Sequence, residues 1–234
     1  MPKPLPSVVS ANKAHLVGLF SHYLLNSRTY GYKTSDPITL NLIKDVLVHK
    51  SFGAAFTHEI RGSRMKAANI GGAINDLAND ILVYFHASPL KTQGDYDAWI
   101  KKAGERFLAS CVSYRAFQFG KAQKMINVTM KHLYCYDVDE AYFSFCHVAL
   151  DSMTYTGNPA NSLDRGFYRC EVNPKAVTKA FSSLTWDEYI QIQKDMRDYL
   201  AKPHHAYGDY VDPKSGNNLT PFKAEFYIWP RYKK

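Results

Sequence analysis

Apolar side chains return every three or four residues along most of this chain, the period of an α-helix and not of a strand. The clearest seam is Ala67, Ile70, Ile74, Leu77, Ile81 and Tyr84, which predicts a helix over about 63–85. Gly71-Gly72 inside it costs about 1 kcal/mol per glycine relative to alanine, so close packing or a kink is expected there. The same spacing predicts a first helix over about 7–26, with Leu16, Phe20, Tyr23 and Leu24 on one face. Asp36-Pro37 reads as an N-cap followed by proline in the first turn, opening a second helix that presents Ile38, Leu42, Val46 and Val48 or His49. Thr92 to Gly94 reads as a turn, and Asp95 and Asp97 suit the start of a helix carrying Tyr96, Ile100, Ala103, Phe107, Cys111 and Tyr114. Thr185-Trp-Asp-Glu188 is a capping box for a helix that runs to about Ala201 and stops before Pro203. Thr156-Gly-Asn-Pro159 is a turn signal, and Asn173-Pro174 reads as the cap of a further short helix. For Tyr142 to Leu150, periodicity does not choose between strand and buried helix.

After Pro203 the character changes to tyrosine, glycine, aspartate and proline, and only Lys223 to Trp229 alternates in a strand-like way. The expectation is a mainly α fold: a single irregular helical domain over 1–202, and an extended aromatic and basic tail over 203–234 that packs on it and forms a small β element. No internal repeat is visible.

The chain has 234 residues, enough to bury a core without disulfide or metal staples. Cys111, Cys135, Cys146 and Cys170 form no CxxC pair and no dense framework, which fits free thiols in a reducing compartment. Leu16 to Phe20 is too short for the core of a signal peptide, and no stretch reaches the length of a membrane span. A cytoplasmic protein without membrane association is expected. A formal net charge of +8 favours anionic partners, nucleic acid first among them.

The charge is concentrated. Residues 101–132 hold Lys101, Lys102, Arg106, Arg115, Lys121, Lys124 and Lys131 against Glu105 alone. Within the stretch from Phe119 to Leu133, a helix at 100° per residue places Ala122, Met125, Ile126, Thr129 and Leu133 within roughly 100° of one another. Lys121, Lys124 and Lys131 then gather on the other side beside Gln123 and Asn127, so this lysine face is expected to meet water and hold an anion. Arg61, Arg64 and Lys66 form a second basic cluster, and if it shares a surface with the lysines the two would track a phosphate backbone. Seventeen tyrosines add rings on which unpaired bases stack.

Candidate chemistry is thinner. In Phe145-Cys-His-Val-Ala-Leu-Asp151, His147 and Asp151 are four apart and would share a helix face, where a carboxylate orients an imidazole for base chemistry. A buried histidine bonded to an aspartate is the favoured role. Asp76 and Asp80 have the spacing to share a hard cation, but no third acidic ligand lies nearby, so a solvated face is favoured and no metal or cofactor is expected. Arg197 and His204 have an R-x6-H spacing similar to that of HEPN-type ribonucleases, which cut RNA without metal. No Walker loop, GxGxxG, HExxH or GxSxG occurs.

Three blocks, FGKAQKMINVTMKHLY, FCHVALDS and WDEYIQIQKDMRDYL, resemble a group of uncharacterised bacterial and phage proteins over roughly residues 117–200. The resemblance implies a prokaryotic or phage setting and one compact helical unit containing all three blocks. It implies no functional residue.

The leading expectation is a non-enzymatic nucleic-acid-binding protein, RNA or single strands preferred, with contacts from Lys121, Lys124, Lys131, Arg61, Arg64 and Lys66. One alternative is a metal-independent nuclease or nucleotide-processing hydrolase using His147 with Asp151, or Arg197 with His204. The other is a protein-interaction factor in phage–host conflict, with a protein partner.

Overall fold

A computed structural model describes residues 12–25, 32–61, 65–111, 117–156, 166–176, 179–202, 210–211 and 217–232. Its α-helices are α1 (Lys13–Leu25), α2 (Leu40–Val46), α3 (Phe52–Ala55), α4 (Thr57–Arg61), α5 (Gly71–His86), α6 (Gln93–Ser110), α7 (Phe119–Leu133), α8 (Trp186–Leu200) and α9 (Pro221–Tyr232). Among the described residues the chain is mainly helical, and no strand forms. The small β element expected from the tail is corrected to a single bridge between Val211 and Asn218. The strand-like stretch Lys223 to Trp229 lies inside α9. Thr220-Pro221 explains this: the Thr220 hydroxyl accepts from Lys223 N at 3.3 Å, an N-cap with proline at the first helical position. Phe222, Ala224, Glu225, Phe226, Tyr227 and Ile228 are all buried, so α9 is enclosed on several sides and its apparent alternation carried no period.

The chain divides into two compact units. The middle unit comprises Arg28–Cys146 and Ser182–Trp186; the terminal unit comprises Met1–Ser27, His147–Phe181 and Asp187–Lys234. This division does not follow a body-and-tail boundary at residue 202. The three resembling blocks are also split, with α7 in the middle unit and residues 187–200 in the terminal one.

In the middle unit α5 packs on α6 and α6 on α7, while α2, a π-helical turn at Leu47–Ser51 and α3 close over α7. Ile70, Ile74, Leu77, Ile81 and Tyr84 are buried along the α5 seam as the spacing requires. Gly71 and Gly72 fall in the first turn of α5, after a 3-10 turn at Ala67–Ile70, so no kink is needed to accommodate them. Helix α2 begins three residues later than Asp36-Pro37 suggests: Thr39 is its N-cap, accepting from Leu42 N at 3.2 Å, and Asp36 instead closes a turn onto Lys33 N. Thr92 and Asp95 cap α6 reciprocally. Gly104 is required where α6 crosses α7, because a Cβ there would lie 2.6 Å from the Phe119 ring.

In the terminal unit α9 packs on α1 and on a π-helical turn at Ser152–Thr156, which meets a second such turn at Tyr168–Val172. Residues 147–150 form a buried segment with neither helix nor strand. Asn173-Pro174 makes a turn and starts no helix, while the signal at Gly157 to Pro159 lies outside the described residues. All four cysteines are free thiols. No helix among the described residues is long and apolar enough to cross a membrane.

Candidate anion-binding site

Helix α7 is the most enclosed element described. Of its fifteen residues only Val128 is not buried, because α2, the turn at 47–51, α3 and α6 all pack against it. Its amphipathic pattern is real, but its polar half does not face water. Lys121, Lys124 and Lys131 are only 5%, 7% and 5% exposed, which corrects the expectation of a solvent-facing lysine face. A helical period separates polar from apolar faces; it does not say that the polar face is wet.

The buried polar half is internally organised. Lys121 Nζ donates to the carbonyl of Ala55, the last residue of α3, at 2.8 Å, and sits 5.1 Å from the centre of the Phe56 ring. Gln123 Nε2 donates to Gly120 O at 3.1 Å, and Asn127 Nδ2 donates to Gln123 Oε1 at 3.1 Å, a chain of amides running along the helix. Thr129 gives its proton to Met125 O at 2.7 Å, so Ser51 must be the donor in the 2.7 Å contact between the two hydroxyls. His132 is buried one residue beyond Lys131. Burial pushes its pKa down to about 3, and the charges that add to this shift, Lys131 and Lys50, are both positive. Burial also lowers the pKa of Lys50. The surroundings of His132 are therefore electropositive, and the imidazole is neutral at physiological pH.

The layer outside α7 is basic as well. The turn at 47–51 carries His49, which is exposed, and Lys50, which is half-buried. Helix α4, which begins two residues after Ala55, ends at Arg61, and Arg61 and Lys66 are exposed. Lys121 thus reaches the end of α3, which α4 follows in the chain. Arg64 lies outside the described residues. The sequence pattern singles out neither Lys50, Ser51 nor His132, while it places Thr129 on the buried stripe, where it lies. The first two lie on a π-helical turn, whose five-residue hydrogen bonds break the helical register used to assign faces.

Asp76 and Asp80 do not converge on a cation. Asp76 accepts from Ser110 at 2.7 Å, and Asp80 pairs with Arg106 at 2.6 Å, so both tie α5 to α6. No group of three or more potential metal ligands occurs among the described residues.

The terminal unit rearranges the remaining candidates. His147 and Asp151 do not pair through a helix face, because 147–150 is not helical. Asp151 instead accepts from Met153 N at 2.8 Å and Thr154 N at 3.0 Å, and from Trp229 Nε1 at 3.3 Å. His147 meets α8: its Nδ1 is 2.7 Å from Tyr189 Oη, and its Nε2 is 3.3 Å from Arg197 Nη1. Between these two contacts Gln193 holds Val148 on both sides, accepting from its N–H at 3.2 Å and donating to its carbonyl at 2.9 Å. Glu225 of α9 accepts from Ala149 N at 3.0 Å. Side chains of α8 and α9 thus take the hydrogen bonds that a neighbouring strand would have taken. Arg197 is therefore brought to His147, while His204 lies outside the described residues. Tyr189, Gln193 and Arg197 are spaced four apart on one face of α8, a signal present in the sequence.

No protein-family model, no curated protein and no solved structure matches the chain.

Proposed function

We propose that this protein binds nucleic acid, RNA or other single strands by preference, on the basic side of the middle unit between Lys50 and Lys66. The observation that carries this reading is α7, a buried helix with three lysines in its sequence that packs against α3 and the turn at 47–51. Burial is the main cause of the lowered pKa of His132, and the smaller contributions of Lys131 and Lys50 have the sign of a positive potential there. Charges fixed in a low-dielectric interior act over longer distances than charges in water. Lys121, Lys124 and Lys131 then raise the potential of the surface they back, and do not themselves clasp phosphates. Contact falls to Arg61 and Lys66, which are exposed, and to Lys50, which is half-buried. The resemblance of the three sequence blocks supports a bacterial or phage setting, and the scattered free thiols support the cytoplasm.

The test is a double variant, Arg61→Glu with Lys66→Glu, measured by anisotropy with a labelled single-stranded RNA. Both side chains are exposed, so the helical CD spectrum is expected to stay unchanged while binding is lost. Equal affinity in wild type and variant removes this reading. Nucleic acid carried through an untreated purification is the first sign to look for.

A further inference from the structure

Ile60 is 37% exposed, one of two exposed large apolar side chains among the described residues. It lies on α4 directly before Arg61, inside the basic segment between Lys50 and Lys66. Its amide donates to Phe56 O at 2.9 Å, which sets Ile60 one helical turn beyond Phe56. The Phe56 ring is fully buried and is the hub of an aromatic row. Phe52 lies 5.2 Å from it and Phe117 5.1 Å, centre to centre, and Lys121 Nζ sits 5.1 Å from its centre. Phe117 is half-buried. Phe56 therefore has two neighbours that reach the surface, one aliphatic and one aromatic.

The apolar pair is set among cations. Residues 50–66 hold Lys50, Arg61, Arg64 and Lys66 against Glu59 alone. A purely apolar partner gains nothing from that charge, and a small inorganic anion gains nothing from Ile60 and Phe117. An unpaired nucleotide uses both, because it joins a flat base to a phosphate. Ile60 and Phe117 each keep most of their surface inside the fold, so they form a shallow step and not a wedge that enters a bilayer. We propose that Phe117 and Ile60 form a base-stacking subsite for a single-stranded RNA whose neighbouring phosphates are held by Arg61 and Lys66. The proposal rests on the binding reading above and adds the part of the strand that selects it. A base packs on the Phe117 ring with Ile60 at its edge, and Phe56 backs the ring from inside. Every base has a face that can stack, so little sequence preference is expected. In a duplex the bases are stacked on one another and only phosphates are offered, which gives the preference for single strands a physical cause.

The experiment measures anisotropy of two labelled ligands with the full chain: a single-stranded RNA, and a strand of the same length with abasic residues throughout. Wild type is expected to bind the intact strand at least about 5-fold more tightly than the abasic one, the lower end of what a stacked base contributes. Phe117→Leu keeps an apolar contact with Phe56 and removes the ring, so it is expected to bind both strands alike, with the salt dependence unchanged. Ile60→Asn changes an exposed position, is expected to fold, and should narrow the difference; it replaces Phe117→Leu if that variant does not fold. Equal affinity of wild type for the two strands overturns the inference, as does a full difference retained in every variant that folds. Arg61→Glu with Lys66→Glu separates the two readings. If that variant loses both strands while wild type binds them equally, the subsite alone is removed; if it binds as wild type does, the binding reading falls and the subsite with it. Vesicles of anionic lipid bound where neither strand binds overturn both in favour of a membrane surface.

Discussion

Lys121→Met separates a lysine kept for an anionic ligand from one kept for the fold. The substitution removes the 2.8 Å bond to Ala55 O and the contact with Phe56 at 5.1 Å. A hydrogen bond from a charged donor contributes about 1.5–3 kcal/mol, and a cation over an aromatic ring about 0.5–2 kcal/mol. Against this, the ammonium gives up a burial penalty of several kcal/mol, and methionine fills much of the same volume with an apolar chain. The net change in unfolding free energy is therefore expected within about 2 kcal/mol of zero, read from the urea midpoint at constant m-value. The effect on binding is different in kind. A charge about 10 Å from a phosphate, at an effective dielectric of 20, contributes about 1.7 kcal/mol, a change of about 15- to 20-fold in Kd for single-stranded RNA. If Lys121 is instead one half of an internal ion pair, breaking that pair costs about 3–5 kcal/mol. A loss of that size with RNA affinity unchanged would refute the reasoning.

Three further outcomes follow from single contacts. His132 has a folded-state pKa near 3, below its ordinary 6.5, so as pH falls below 6.5 the unfolded chain takes a proton that the folded chain refuses. Stability is expected to fall by roughly 1 kcal/mol per pH unit down to about pH 3, and urea titrations of His132→Gln should lack that component. Gly104→Ala puts a methyl against the Phe119 ring, and despite alanine's better helix propensity it should destabilise by about 1–3 kcal/mol in thermal or urea unfolding. Gln193→Leu strips the N–H and carbonyl of Val148 of their partners, and at about 1–3 kcal/mol per buried group it should cost several kcal/mol.

Helices that keep one polar face in water were readable in advance. The α5 seam, the Thr92 cap of α6 and the start of α8 all lie where local spacing and capping chemistry put them. What failed depends on what packs around an element. Lys121, Lys124 and Lys131 gather on one side of α7, yet α2, α3, α6 and the turn at 47–51 leave hardly any of that helix in water. The alternation in Lys223 to Trp229 had no meaning once α9 was enclosed, and the Thr220-Pro221 cap was the better guide. His147 and Asp151 lost their relation because residues 147–150 are not helical. The partner of His147 was legible only as the spacing of Tyr189, Gln193 and Arg197 on α8, which names a face but not what lies against it.

The salt dependence of single-stranded RNA binding by the full chain tests the central claim most directly. Three phosphates neutralised by Lys50, Arg61 and Lys66 give a slope of about −2 for log K against log salt. The account predicts that slope for wild type, and binding lost when Arg61 and Lys66 are both changed to glutamate. No measurable binding at low salt, or binding whose strength does not change with salt, contradicts it.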